Sequence, residues 1–160
     1  MILRRRRPHA FERDGDRTAI RLGDDERSML ANLAGQFRAV VADDADPDLR
    51  RLYPTAYPDD PGRDADYSGL VHDDLVRTRV AAADTVVATA SAVSLDADQL
   101  AAWMQILNGL RLLLGTRLDI SEEDEFDPEA EDAPTRALLS WLGFLLEEAV
   151  VAAAADLDDA

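Results

Sequence analysis

The sequence predicts an α+β fold that is mainly helical: a four-helix, bundle-like core with a short N-terminal β-hairpin. Three observations point there. Four stretches repeat apolar residues at helical spacing. One of them, residues 103–118 (WMQILNGLRLLLGTRL), is apolar around most of its circumference and is expected to be the central, buried helix. Near the N-terminus, two short runs flank the turn residues Asp14, Gly15 and Asp16. The 160 residues have the length of a single domain, divided into a hairpin over 1–22 and a helical bundle over 23–155.

Taken in order, residues 2–7 and 18–22 read as the two strands of the hairpin. Asp24 or Asp25 caps the first helix and Glu26 sits in its first turn. Leu30, Leu33, Phe37 and Val40 or Val41 give that helix one apolar stripe, which ends near Asp43. Residues 44–61 are irregular, broken by Pro47, Pro54, Pro58 and Pro61. A second helix is expected from Asp64 or Asp66 to about Leu95. Its seam of Val71, Leu75, Thr78, Ala82, Val86 and Thr89 faces the core. Asp96 then caps the third helix, which runs to Leu118 with Leu100, Met104, Leu107, Leu110 and Leu114 in one row. Residues 119–132 hold nine acids and no base, so they read as a solvated, mobile loop. The last helix begins at Pro134, a favoured first-turn residue, and its row is Leu138, Leu142, Leu145 and Ala149. The tail after Val151 is expected to fray.

Composition removes several function classes. There is no cysteine, hence no disulfide, thiolate metal site or thiol redox chemistry, and no sign of an oxidising compartment. All 17 basic residues are arginine, which excludes lysine Schiff-base chemistry and a P-loop lysine. The N-terminus carries charge without a following apolar stretch and is not read as a secretory signal. No apolar run is read as approaching the ~20 residues of a membrane span, so a cytoplasmic location without membrane contact is expected.

Charge is uneven. Residues 1–21 carry seven arginines against three acids, and residues 22–160 carry ten arginines against thirty acids. A body with a net charge of −20 repels phosphate backbones and attracts basic protein surfaces. Only Arg4, Arg5, Arg6 and Arg7 have the sign for nucleic acid. They read better as outward charges on an edge strand, so any direct DNA binding is expected to be weak.

Motifs for chemistry are few. No GxSxG, HExxH, GxGxxG or Walker sequence occurs, and His9 and His72 lack the partners of a metal site. No catalytic residue, cofactor or metal is therefore expected. Two features stand out. Asn108 and Arg111 share one face of the third helix. If that face is buried, the guanidinium needs a carboxylate from another helix: Asp73, Asp74, Glu147 or Glu148. Such a network would fix helix register or line a ligand pocket. The second feature is RRLYPTAY at residues 50–57, where Tyr53 and Tyr57 each precede a proline. The two rings either plug one end of the bundle or form a protein-docking loop.

RLYPTAY at 51–57 together with LNGLRLLLGTRL at 107–118 resembles the signatures of an actinobacterial family, formerly of unknown function. Its genes lie beside that of the ClpS protease adaptor, and its members are known as AosR-like oxidative-stress transcriptional regulators. The resemblance implies a non-enzymatic regulator acting through protein contacts, with a transcription-machinery component as the kind of partner. It leaves open an adaptor in ClpS-linked proteolysis or an enzyme of unrecognised type. The chain departs from the family in one respect: the regulatory role there is associated with redox-active cysteines.

Overall fold

The computed structural model describes residues 8–43, 47–53, 55–118 and 127–158. The first expected strand, the four arginines at 4–7 and the acidic residues 119–126 lie outside the described residues.

The fold is mainly α with a small β part, as the periodicities predict. Strands β1 (Phe11–Asp14) and β2 (Arg17–Ile20) form the hairpin, and β3 (Ser94–Leu95) adds to the free edge of β2, antiparallel throughout. Asp14 pairs with Arg17, so the loop is only Gly15 and Asp16, and Gly15 takes φ +64°. A positive φ there matches the strand twist and costs glycine no Cβ clash. The first strand therefore abuts the turn. Phe11, Thr18, Ile20 and Leu95 alternate onto the inner face and are buried.

Four helices follow: α1 (Asp24–Asp43), α2 (Pro61–Thr89), α3 (Ala97–Arg117) and α4 (Ala133–Asp158). A short 3₁₀ turn, Pro47–Arg51, precedes α2. The Glu26 side chain turns back to accept from the Gly23 N–H at 3.1 Å, one half of a capping box at the start of α1. Helix α2 starts three residues earlier than its seam suggests. Asp60 caps it by accepting from the Arg63 N–H at 3.1 Å, and Pro61 is pre-set for the first turn. The helix also ends earlier, at Thr89, because Val93, Ser94 and Leu95 leave it to pair with β2. Asp96 and Gln99 form a complete capping box on α3. At the start of α4, residues 127–132 are wound into turns. The Asp127 carbonyl accepts from Ala130 N–H, and Asp132 pairs with Arg136 at 2.9 Å.

Helix α3 is the centre of the core. Leu100, Trp103, Ile106, Leu107, Leu110 and Leu113 are buried against the inner rows of α1, α2 and α4. Two local devices fix it. The ring of Phe37 lies on the backbone of Gly109, where an added Cβ would meet Phe37 Cζ at 2.7 Å. Trp103 stacks edge-on against Phe11 at 5.9 Å and donates from Nε1 to Thr89 Oγ1 at 2.7 Å. The Thr89 hydroxyl in turn donates to the Thr85 carbonyl, so the buried indole N–H is satisfied. Arg27 joins the remaining pieces, donating to the carbonyls of Ile20, Leu22, Ala90 and Ala92 at 2.6–3.0 Å.

Candidate functional site

Helix α2 is longer than the bundle needs. It runs antiparallel to α1, with Arg38 reaching Asp84 at 2.8 Å and Arg27 reaching the Ala90 carbonyl. Because α1 ends at Asp43, the first half of α2 continues past it, and the buried residues of α2 are confined to Ala82, Ala83, Val86 and Thr89. The apolar seam does not stop there. Val71 and Leu75 keep the core-facing direction but meet the 52–57 loop, which leaves Leu75 40% exposed. Thr78 is exposed as well.

The loop is tied to this overhang. Asp64 accepts from the backbone N–H groups of Ala56 (2.8 Å) and Tyr57 (3.1 Å), and the Tyr57 carbonyl accepts from Asp60 N–H. Leu52 is buried as the plug of the bundle end, whereas Tyr53 and Tyr57 are half-buried. Each ring carries a guanidinium on its face: Arg79 sits 4.6 Å from the Tyr53 centroid and Arg63 sits 4.3 Å from the Tyr57 centroid. His72 tilts against Tyr53 at 4.7 Å, and Tyr67 meets Tyr57 edge-on at 5.9 Å. Between loop and helix lies an open cleft of about 380 Å³, walled by Leu52, Tyr53, Tyr67, His72, Leu75 and Arg79 among others. None of its ten lining residues is Asp or Glu, in a chain where 33 of 160 are. Arg79 donates from one Nη to the Leu52 carbonyl at 2.9 Å, while its other Nη is enclosed with no acceptor among the described residues. Of the two tyrosines expected from the sequence, Tyr53 is a wall of the cleft, whereas Tyr57 lies outside its lining, against Tyr67 and Arg63.

The expected Asn108/Arg111 network is not assembled. Asn108 and Arg111 are exposed, and with Ala97 and Ala101 they form a narrow strip along α3 that faces solvent; Asp98 and Arg117, near its two ends, are exposed on other faces. The apolar run hides that strip because nine of its fourteen other positions are Leu, Ile, Met or Trp. The Arg111 side chain lies across α4 at Gly143, where an added Cβ would be 3.4 Å from Nε, and no described carboxylate pairs with it. Asp73 is exposed, Asp74 pairs with Arg77 on its own helix, and Glu147 is exposed. Glu148 accepts from His9 Nδ1 at 3.0 Å, linking the N-terminal segment to α4. None of the clefts seen at this fold's surface that are described here includes Asn108 or Arg111. Among the described residues, no group of three His, Asp or Glu side chains is placed to hold a metal ion.

Sequence reasoning missed Arg79, Tyr67 and Leu70. His72 and Arg79 are seven apart and share a helix face, a spacing that was available but had no aromatic partner until the loop folded back. The apolarity of α4 was also underestimated. Within Ala133–Ala155 an 18-residue window has a mean hydropathy of 1.7, and the segment is long and apolar enough to cross a membrane by length and composition. Their inner row of Leu142, Leu145 and Ala149 is fully enclosed in the bundle.

Comparison with curated proteins and with solved structures gave no match. A family model described as a domain of unknown function, DUF2017, matches residues 8–153, nearly the whole chain including the hairpin, the loop and all four helices, and the chain belongs to that family.

Proposed function

We propose that the protein is a non-enzymatic cytoplasmic regulator that works by docking on a protein partner at the overhanging half of α2. The observation that carries this is a pair of exposed apolar side chains one helical turn apart on an acidic chain: Leu70 is 81% exposed and Tyr67 45%. Large apolar side chains grouped on a surface of otherwise charged residues are characteristic of interaction sites. The resemblance to the actinobacterial AosR-like regulators supplies the kind of partner, a component of transcription control under oxidative stress. A net charge of −16 favours a partner with a basic surface and speeds encounter, over a range set by a Debye length of about 8 Å. The chain has no thiol, so in this scheme the oxidant is sensed by the partner or upstream of it.

Leu70→Ser and Tyr67→Ser test the proposal, since both side chains are exposed and their loss spares the core. Capture from native lysate should retain a basic transcription component on the parent and lose it on the double variant. Raising salt should slow association more than it speeds dissociation. A double variant that holds every captured protein as tightly as the parent would overturn the docking site. Capture of a protease or its adaptor instead would move the protein to ClpS-linked proteolysis.

A further inference from the structure

The cleft between loop and helix has a chemistry of its own. It runs along α2 from Tyr67 to Arg79, and Arg79 stands at the end next to the core residue Ala82. Its walls are apolar and aromatic, its hydroxyls belong to Thr55, Ser68 and the two tyrosines Tyr53 and Tyr67, and its cation is Arg79, with the His72 ring beside it. The enclosed Nη of Arg79 without an acceptor is the point of interest. A guanidinium N–H shut away from water without an acceptor is unfavourable, and a carboxylate is the acceptor it fits best.

We propose that this cleft binds a monocarboxylate carried on a compact apolar or aromatic body. The acid lies inward on Arg79, and the apolar body lies outward against Tyr53, Val71 and Leu75. In the occupied site the guanidinium slides along the Tyr53 ring, keeps its bond to the Leu52 carbonyl and turns the second Nη to the acid. A carboxylate is favoured over a phosphate because a dianion with three acceptor oxygens needs more donors than one free Nη. The backbone N–H groups of Ala56 and Tyr57 in the adjoining loop are already given to Asp64. The volume of about 380 Å³ is within the range of small-ligand sites and suits a body of one ring or one branched side chain. The same chemistry is presented by a free small acid and by the last residue of a polypeptide. The proposal shares the location of the docking site but does not depend on its protein partner.

Titration of the full-length, isotope-labelled chain with 3-phenylpropionate, and separately with a pentapeptide ending in a free-acid phenylalanine, tests it. Amide shifts should concentrate at residues 52–57 and 67–79 with saturation below about 10 mM, as a fragment-sized ligand allows. The corresponding amides and inorganic phosphate should bind at least ten-fold more weakly. Whichever acid binds more tightly identifies the source. Arg79→Gln should weaken both acids at least ten-fold. Ser68→Glu, an exposed change that puts a negative charge on the cleft wall without touching the core, should do the same in a fully folded chain. Leu70 is absent from the cleft lining, so Leu70→Ser should leave acid binding unchanged whatever it does to partner capture. Amides that bind as well as acids, no saturable shifts from either acid, or acid binding unaffected by Ser68→Glu would each overturn the proposal.

Discussion

Arg27 offers the sharpest test of how this fold is held together. Its guanidinium donates to four backbone carbonyls: those of Ile20 at the end of β2, Leu22 before α1, and Ala90 and Ala92 after α2. Replacing Arg27 by alanine removes all four donors at once. A charged donor to a neutral acceptor contributes about 1.5–3 kcal/mol. A simple sum overstates the loss, because Arg27 is only half-buried and borders an open cleft from which water can reach the carbonyls. Counting about one third of that sum gives a destabilisation of roughly 2–4 kcal/mol. At roughly 2–4 °C per kcal/mol for a domain of this size, the melting temperature should fall by about 5–15 °C. Arg27→Lys keeps the charge but loses the planar fork that spans four acceptors, and it should recover less than half of the loss. Thermal unfolding followed by circular dichroism measures both. The acceptors are uncharged, so the loss should persist at 0.5 M salt. An alanine variant melting within about 1 °C of the parent, or a lysine variant as stable as the parent, would refute the clamp.

Three further outcomes follow from the same packing and charge. Gly109→Ala gains about 1 kcal/mol of helix propensity but drives a methyl into the enclosed Phe37 ring, at an overpacking cost of about 1–3 kcal/mol. It should therefore destabilise in denaturant titration, and Phe37→Leu in the same chain should abolish that penalty. Arg111→Ala should change stability by no more than about 0.5 kcal/mol, since the side chain is exposed and pairs with no described carboxylate; a loss of several kcal/mol would restore the buried network. In mobility-shift titrations at physiological salt the protein alone should show no submicromolar, sequence-specific binding to duplex DNA, because thirty acids face ten arginines beyond residue 21.

What the sequence made legible is the part governed by local rules. The stripe of α1, the N-cap at Asp96 and the row of α4 follow from periodicity and end-capping, which need only neighbours along the chain. The errors lie where a distant segment decides. Nothing within 90–95 says that it will pair with β2 instead of continuing a helix, because its partner lies about 75 residues earlier. Arg27 reads as an ordinary helical surface residue until the carbonyls of β2 and of the α2 terminus converge on it. Asn108 and Arg111 appear to contradict a core helix only while that helix is taken as buried on every side. Once α1, α2 and α4 are placed around it, one strip is left uncovered, and those two residues occupy it.

The seam of α2 explains why the site escaped the same reading. Spacing shows which residues share a face, but it does not say what the face meets. From Ala82 to Thr89 the seam meets α1 and α3 and becomes core, whereas from Val71 to Leu75 it meets a loop too small to cover it. An apolar stripe that outlasts its partner helix has two outcomes: it is covered by something else, or it remains as a groove. Here both occur. Leu52 closes the end of the bundle, and Tyr53, held by Arg79 and His72, stands off far enough to leave a cleft. The proline-stiffened loop, its anchor Asp64 and the surplus turns of α2 are therefore parts of one construction. A variant that loosens the anchor, such as Asp64→Ala, should release the loop and raise amide exchange at residues 55–57 while leaving the buried half of α2 protected. Equal protection in both segments would show that the loop is held by its rings alone.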